Sequence, residues 1–232
     1  MGFIIKNRFA RLDAILIHTY WYDINKINSL DLANKIQALA LKNICQNLEV
    51  KNIIITAGRV SQKQIAIGYQ LKKQILSVLP KKLHSRVQIY PSQKTTVGEI
   101  KEFKEISQAQ NWNRLGSLGV CLHLPRIKRD FVKVFKNDKH NILFFEAEKN
   151  LSKKDFPALE KYRNSKEYTL LKLNEQIEKS IENIPIIGTI FLEIVSKFSV
   201  NKGHLQPKIL NFFYKISNIK TKSKFKHIKN NL

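Results

Sequence analysis

The chain has 232 residues, 43% of them hydrophobic and 25% charged, with a formal net charge of +23. This apolar content excludes a disordered chain, and the length allows one substantial domain with a small appendage. Two cysteines, Cys45 and Cys121, exclude a disulfide framework and a cysteine-based metal site.

The charge is uneven. Residues 1–146 carry 24 basic and 10 acidic side chains, residues 147–200 carry 9 and 8, and residues 201–232 carry 8 lysines and no acid. Such a surplus attracts any polyanion without choosing among them. The 33 lysines far outnumber the 8 arginines. That ratio fits codon drift and solubility better than base reading, which relies on bidentate Arg contacts. Nucleic acid is therefore the less favoured polyanion.

Gly2 to Ile5 is too short for the ~7–15 apolar residues of a signal peptide core. Residues 184–195 are interrupted by Pro185, Gly188 and Glu193 and fall short of the ~20 residues of a spanning helix. The expectation is a soluble, cytoplasmic protein, with peripheral contact to a membrane as the further option.

Leu12 to Ile17 reads as a first strand with Asp13 at its mouth. Ser29 and Asp31 signal a helix start, and Leu32, Ile36, Leu39, Ala40, Ile44 and Leu48 follow at helical spacing. Asn52 to Thr56 is a second strand, broken at Ala57-Gly58. Ser61 opens a helix that Pro80 stops. Arg86 to Tyr90 is a third strand, and Thr95 caps a helix through Ile106. Leu118 to Leu122 is a fourth strand, which makes Cys121 a buried strand thiol of low reactivity. Pro125 suits the first turn of the next helix. Asn141 to Glu146 is a fifth strand.

This alternation predicts a Rossmann-like α/β domain over residues 1–148: a doubly wound, mainly parallel five-stranded sheet. Residues 149–219 read as a helical extension, with helices over 156–162, 168–181, 186–198 and 207–219. Residues 220–232 read as a frayed basic tail. The apolar positions Ile209, Leu210, Phe212, Phe213, Ile216 and Ile219 give the segment 201–232 one apolar face among its lysines. It either packs on the α/β domain or docks on an anionic membrane surface.

In such sheets ligands bind outside the carboxyl ends of the strands. Four polar clusters are expected at that edge: His18-Thr19-Tyr20, Gly58-Arg59, Ser92 to Thr95, and His123 to Arg126. Taken in order, Asp13-Ala14-Ile15-Leu16-Ile17, Ile53 to Gly58, Ser92-Gln93-Lys94-Thr95 and His123-Leu124-Pro125-Arg126 resemble the bacterial YdcF/SanA/ElyC-like domain family. The resemblance covers residues 12–146. It implies a nucleotide-binder-like fold and a role in cell-envelope biogenesis. Where the family carries a glycine-rich first turn, this chain carries His18 to Tyr22.

The candidate ligand is an anionic small molecule, a nucleotide or sugar phosphate. His123 is the candidate acid/base, since an imidazole titrates near neutrality. Arg126 is the candidate charge clamp; an ion pair with Asp130, one turn on, is the alternative. Ser92 and Thr95 are candidate hydroxyl donors, and Arg59, Gly58 and Asp13 complete the candidate ligand-binding set. Thr96 and Glu99 have the spacing of a capping box, and Glu99 has no second acid beside it in sequence. No metal site is expected. Whether the chain is an enzyme stays open at this point. The competing reading is a non-catalytic basic module that docks on an acidic surface, lipid or nucleic acid.

Overall fold

The five apolar runs form the strands β1 (Arg11–Ile17), β2 (Glu49–Ala57), β3 (Val87–Gln93), β4 (Arg114–Gly119) and β5 (Asn141–Glu146). The computed structural model describes residues 11–20, 32–58, 67–93, 95–136, 138 and 140–182. Its sheet has the order β3-β2-β1-β4-β5, and every pairing is parallel. Helices α1 (Leu32–Asn47), α2 (Ile67–Val78), α3 (Thr96–Ala109) and α4 (Leu124–Val134) connect or follow the strands; α5 (Phe156–Arg163) and α6 (Lys166–Glu182) complete the order. This is a Rossmann-like α/β fold.

Neighbouring residues of a strand face opposite ways. Ile15, Ile17, Ile53 and Ile55 pack with Ile36, Leu41 and Ile44 of α1, Leu71 and Ile75 of α2, and Tyr162 of α5. Ala14, Leu16, Ile54 and Leu115 pack with Ile100 and Phe103 of α3 and Ile127 and Phe131 of α4. Covering both faces is what lets parallel strands read as unbroken Ile and Leu runs. The chain moves outward from β1 through β2 to β3, then returns to place β4 on the other side of β1. The direction of winding therefore reverses between β1 and β4, which opens a crevice at their carboxyl ends.

Several strand boundaries differ from the sequence expectation, and β2 begins at Glu49 rather than Asn52. β4 begins at Arg114 and ends at Gly119, so Cys121 and His123 lie in the turn Cys121–His123 and not in a strand. Gly116 and Ser117 resemble turn residues, but Gly116 is a packing glycine: a Cβ there would stand 2.9 Å from Leu12 Cδ1 and 3.0 Å from Ile15 Cγ1. β3 runs on through Pro91, which a sheet edge tolerates because no neighbour needs its missing N–H.

The compact unit holding the sheet runs from Met1 to Glu175, past the boundary at 148. Leu159 and Tyr162 of α5 are buried in its core. Glu167 of α6 accepts hydrogen bonds from the backbone N–H groups of Leu32 (2.7 Å) and Ala33 (2.8 Å), which start α1. A carboxylate satisfies these orphan donors and the positive end of the helix dipole. The second unit begins at Gln176, and its described residues, 176–182, are helical. Ser29, Ser61, the expected helices 186–198 and 207–219, and the tail 220–232 lie outside the described residues. Among the described residues no helix is long and apolar enough to cross a membrane.

Gly68 shows how closely α2 lies on the sheet. A Cβ at this position would stand 2.7 Å from the Ala57 carbonyl oxygen and 3.0 Å from Ile89 Cδ1. Gly68→Ala should therefore destabilise the fold by about 1–3 kcal/mol through overpacking, despite the gain in helix propensity of about 1 kcal/mol. Urea unfolding of both proteins checks this; an alanine variant as stable as the parent would show that α2 can retreat from the sheet.

Candidate functional site

Two imidazoles stand at the crevice. His18 follows the last residue of β1, and its backbone N–H reaches the Leu118 carbonyl of β4 at 3.5 Å. His123 follows β4 and provides the N-cap backbone of α4. Their ring centroids are 6.3 Å apart. Both are buried, at 0% and 3% exposure, where an ordinary surface histidine would be wet.

The segment after β1 is fixed by α1. Asn34 Oδ1 accepts from the Tyr20 N–H (2.9 Å), and Asn34 Nδ2 donates to the Tyr20 carbonyl (2.8 Å). Gln37 Nε2 donates to the His18 carbonyl at 2.8 Å. These bonds hold His18, Thr19 and Tyr20 against the sheet. The Tyr20 ring then meets the His123 ring edge-on at 5.2 Å.

Each imidazole bridges a carboxylate and a hydroxyl. His18 Nδ1 is 2.7 Å from Glu99 Oε2, and its Nε2 is 3.2 Å from Ser117 Oγ. Thr19 Oγ1 donates to the other Glu99 oxygen at 3.2 Å. His123 Nδ1 is 2.6 Å from Glu175 Oε1 of α6, and its Nε2 is 3.3 Å from Thr96 Oγ1 of α3. A carboxylate only accepts, so Nδ1 carries the proton in both rings. Each Nε2 faces a hydroxyl, and Arg126 Nη2 also stands 3.3 Å from the Nε2 of His123.

Arg126, one turn into α4, reaches the same point. Its Nη2 is 3.1 Å from Glu175 Oε1, 2.8 Å from His123 Nδ1 and 3.3 Å from His123 Nε2, and its Nε is 3.2 Å from Nδ1. A ring nitrogen that donates to Glu175 cannot also accept from Arg126, so the guanidinium's partner here is the carboxylate. Burial and the neighbouring Arg126 lower the His123 pKa to about 4, against the opposing pull of Glu175. Burial alone would raise the Glu175 carboxyl, but the His123 N–H and Arg126 outweigh it and hold the acid below its ordinary value. The result is a neutral imidazole oriented by an ionised carboxylate. Burying this many ionisable groups costs stability that an apolar core would not, and such clusters concentrate at functional sites.

The sequence candidates fall into three groups. His123 and Arg126 stand together in the crevice. Thr95 lies beside it as the N-cap of α3, and its hydroxyl accepts the Gly98 N–H at 3.1 Å. Gly58 closes β2 at the same edge, where its carbonyl accepts from Ile67 N–H at 3.1 Å. Arg59 and the Ser92 side chain lie outside the described residues.

Asp13 is a correction. It sits near the amino end of β1, the opposite edge, where Oδ2 accepts the N–H groups of Asn113 and Arg114 at 3.1 Å each. Its carboxylate starts β4 and does not face the crevice. Glu99 is a second correction: Thr95 caps α3, and the Glu99 side chain turns inward to His18 in place of closing a capping box. Cys121 is unsuited to nucleophilic chemistry, because burial and then Glu148 push its thiol up to about 12.

Ser117 and Glu175 join the site from positions that the sequence reading does not single out; His18 is expected at this edge, and Glu99 reads first as half of a capping box. Among the described residues no group of three or more His, Cys, Asp or Glu side chains is arranged to hold a metal ion. No protein-family model, curated protein or solved structure matches the chain.

Proposed function

We propose that the chain binds an anionic small molecule, a nucleotide or sugar phosphate, at the crevice between β1 and β4, and that His123 acts on it as a general base. The observation that carries this reading is the Glu175–His123–Thr96 array: an imidazole held at Nδ1 by a carboxylate, with Nε2 3.3 Å from both the Thr96 hydroxyl and Arg126 Nη2. Arg126 supplies the positive charge for the anionic group. An incoming anion would compete with Glu175 for the guanidinium. The N-terminus of α3 points its dipole at the same place and adds to the attraction. The order of the motifs in the sequence is what supports membership of the YdcF/SanA/ElyC-like family, and through it a role in cell-envelope biogenesis.

Calorimetry with nucleotides, sugar phosphates and inorganic phosphate tests the binding. Arg126→Ala should weaken the best anionic ligand by ~1.5–3 kcal/mol, the range for charge-assisted hydrogen bonds. The fold should survive, since the side chain is 19% exposed. Equal affinity in both proteins removes Arg126 from the site, and no binding of any anion by the folded parent removes the reading.

A further inference from the structure

The hydroxyl that His123 faces is the feature with the most chemistry left in it. Thr96 is the first helical residue of α3, one past the N-cap position whose hydroxyl caps a helix. Here Thr95 does that work through Gly98 N–H. The Thr96 hydroxyl is therefore not needed for the helix, and it points instead to His123 Nε2 at 3.3 Å. Glu175 then orients the far side of the ring at 2.6 Å. Hydroxyl, imidazole and carboxylate stand in the order and spacing of an activated nucleophile, its base and the orienter of that base.

Two further facts fit. The intrahelical ladder of α3 begins with Glu99 N–H to the Thr95 carbonyl at 2.8 Å, so the N–H groups of Thr96 and Val97 precede it. Amides at a helix start are suited to an oxyanion that forms beside Thr96 Oγ1. Thr96 is half-buried and Val97 next to it is exposed, so this end of α3 borders solvent. The Ser117 hydroxyl on His18 has a similar array but is fully buried within β4.

We propose that Thr96 is a nucleophile activated by His123 and Glu175, and that its substrate is an ester carrying an anionic group held by Arg126. Thr96 Oγ1 forms a bond to the acyl carbon and gives its proton to His123 Nε2. The carbon–oxygen bond to the leaving alcohol breaks, and Nε2 returns the proton to that oxygen. Water then attacks the acyl-threonine, Nε2 carries its proton to Thr96 Oγ1, and the acid leaves. The inference rests on the base role of His123 proposed above, and it adds the covalent step.

A fluorophosphonate tests it on the full chain, since attack by Thr96 displaces fluoride and leaves a stable adduct. Mass spectrometry with peptide mapping should find one adduct, on Thr96. Thr96→Val and His123→Gln should lower the labelling rate by about 100-fold or more, the scale of general-base assistance; Thr96→Ser, which keeps a hydroxyl, should still label. Circular dichroism confirms that each variant is folded. An adduct on another residue, unchanged labelling of Thr96→Val, or no labelling of the folded parent overturns the proposal. Anion binding measured by calorimetry is independent of this readout, so binding without labelling defeats the covalent step alone.

Discussion

Acidification from pH 7 to pH 4 should remove about 3 kcal/mol of stability through His123 alone. The unfolded imidazole titrates near 6.5, and the folded one is held down to about 4 by burial and by Arg126. Between these values the unfolded chain binds a proton that the native state refuses. Stability therefore rises with pH across this window, is fully present above about 6.5, and is lost as pH falls through the folded value. The groups around the ring are Glu175 of α6, Arg126 of α4, and His18 and Tyr20 beyond the end of β1. Glu175, held low by its two partners, adds a loss of the same sign at still lower pH. Glu148 and Glu167 are raised by burial and contribute the opposite sign. They are present in both proteins if the comparison is with His123→Gln, so their contribution cancels. Urea unfolding of parent and variant at pH 7, 5.5 and 4 should give a stability difference that narrows toward acid by about 3 kcal/mol. A difference that stays flat would mean that the folded His123 accepts its proton as readily as the unfolded one, and the neutral-base reading of the site would fail.

The sheet was legible in the sequence because each strand is a short apolar run and each joining helix shows its own period. The largest displacement is at β4, which starts four residues earlier than expected. Glycine and serine there carry turn chemistry in isolation, and only the approach of Leu12 and Ile15 explains why a residue without a Cβ is required. The site was half legible. His123 and Arg126 are one helical turn apart, so a local motif exposes them. Glu175 lies 52 residues from His123, and Glu99 lies 81 residues from His18. No local spacing connects such partners. Glu99 even fitted a local rule, the capping box with Thr96, and the tertiary contact with His18 won over it. His18 was placed at the right edge by its strand, but its role needed the partner from α3. Asp13 shows the converse: a carboxylate next to a strand looks functional until the direction of the strand puts it at the opposite edge.

The position of α4 decides whether the site exists, and one ring fixes that position. Phe131 is 1% exposed and stacks on Phe135 at 5.4 Å between centroids. Its ring also meets Phe144 of β5 edge-on at 5.3 Å, Phe103 of α3 at 6.4 Å and His18 at 6.4 Å. Three elements and one site residue thus share a single side chain. Phe131→Ala removes the ring from a buried cluster and leaves a cavity, which costs about 3–5 kcal/mol in tightly packed cores. Phe131→Leu keeps most of the volume and should cost no more than half as much. The two variants separate packing from function. His123 and Arg126 both ride on the first turn of α4, and the base geometry depends on the contacts of that turn with Glu175 and Thr96. Thermal or urea unfolding should rank parent, leucine and alanine in that order. Fluorophosphonate labelling should follow the same order at a temperature where all three remain folded, because the cavity lets α4 shift while the fold persists. A Phe131→Ala protein within 1 kcal/mol of the parent would mean that Phe103, Phe135 and Phe144 close over the gap, and that α4 is held by its other contacts.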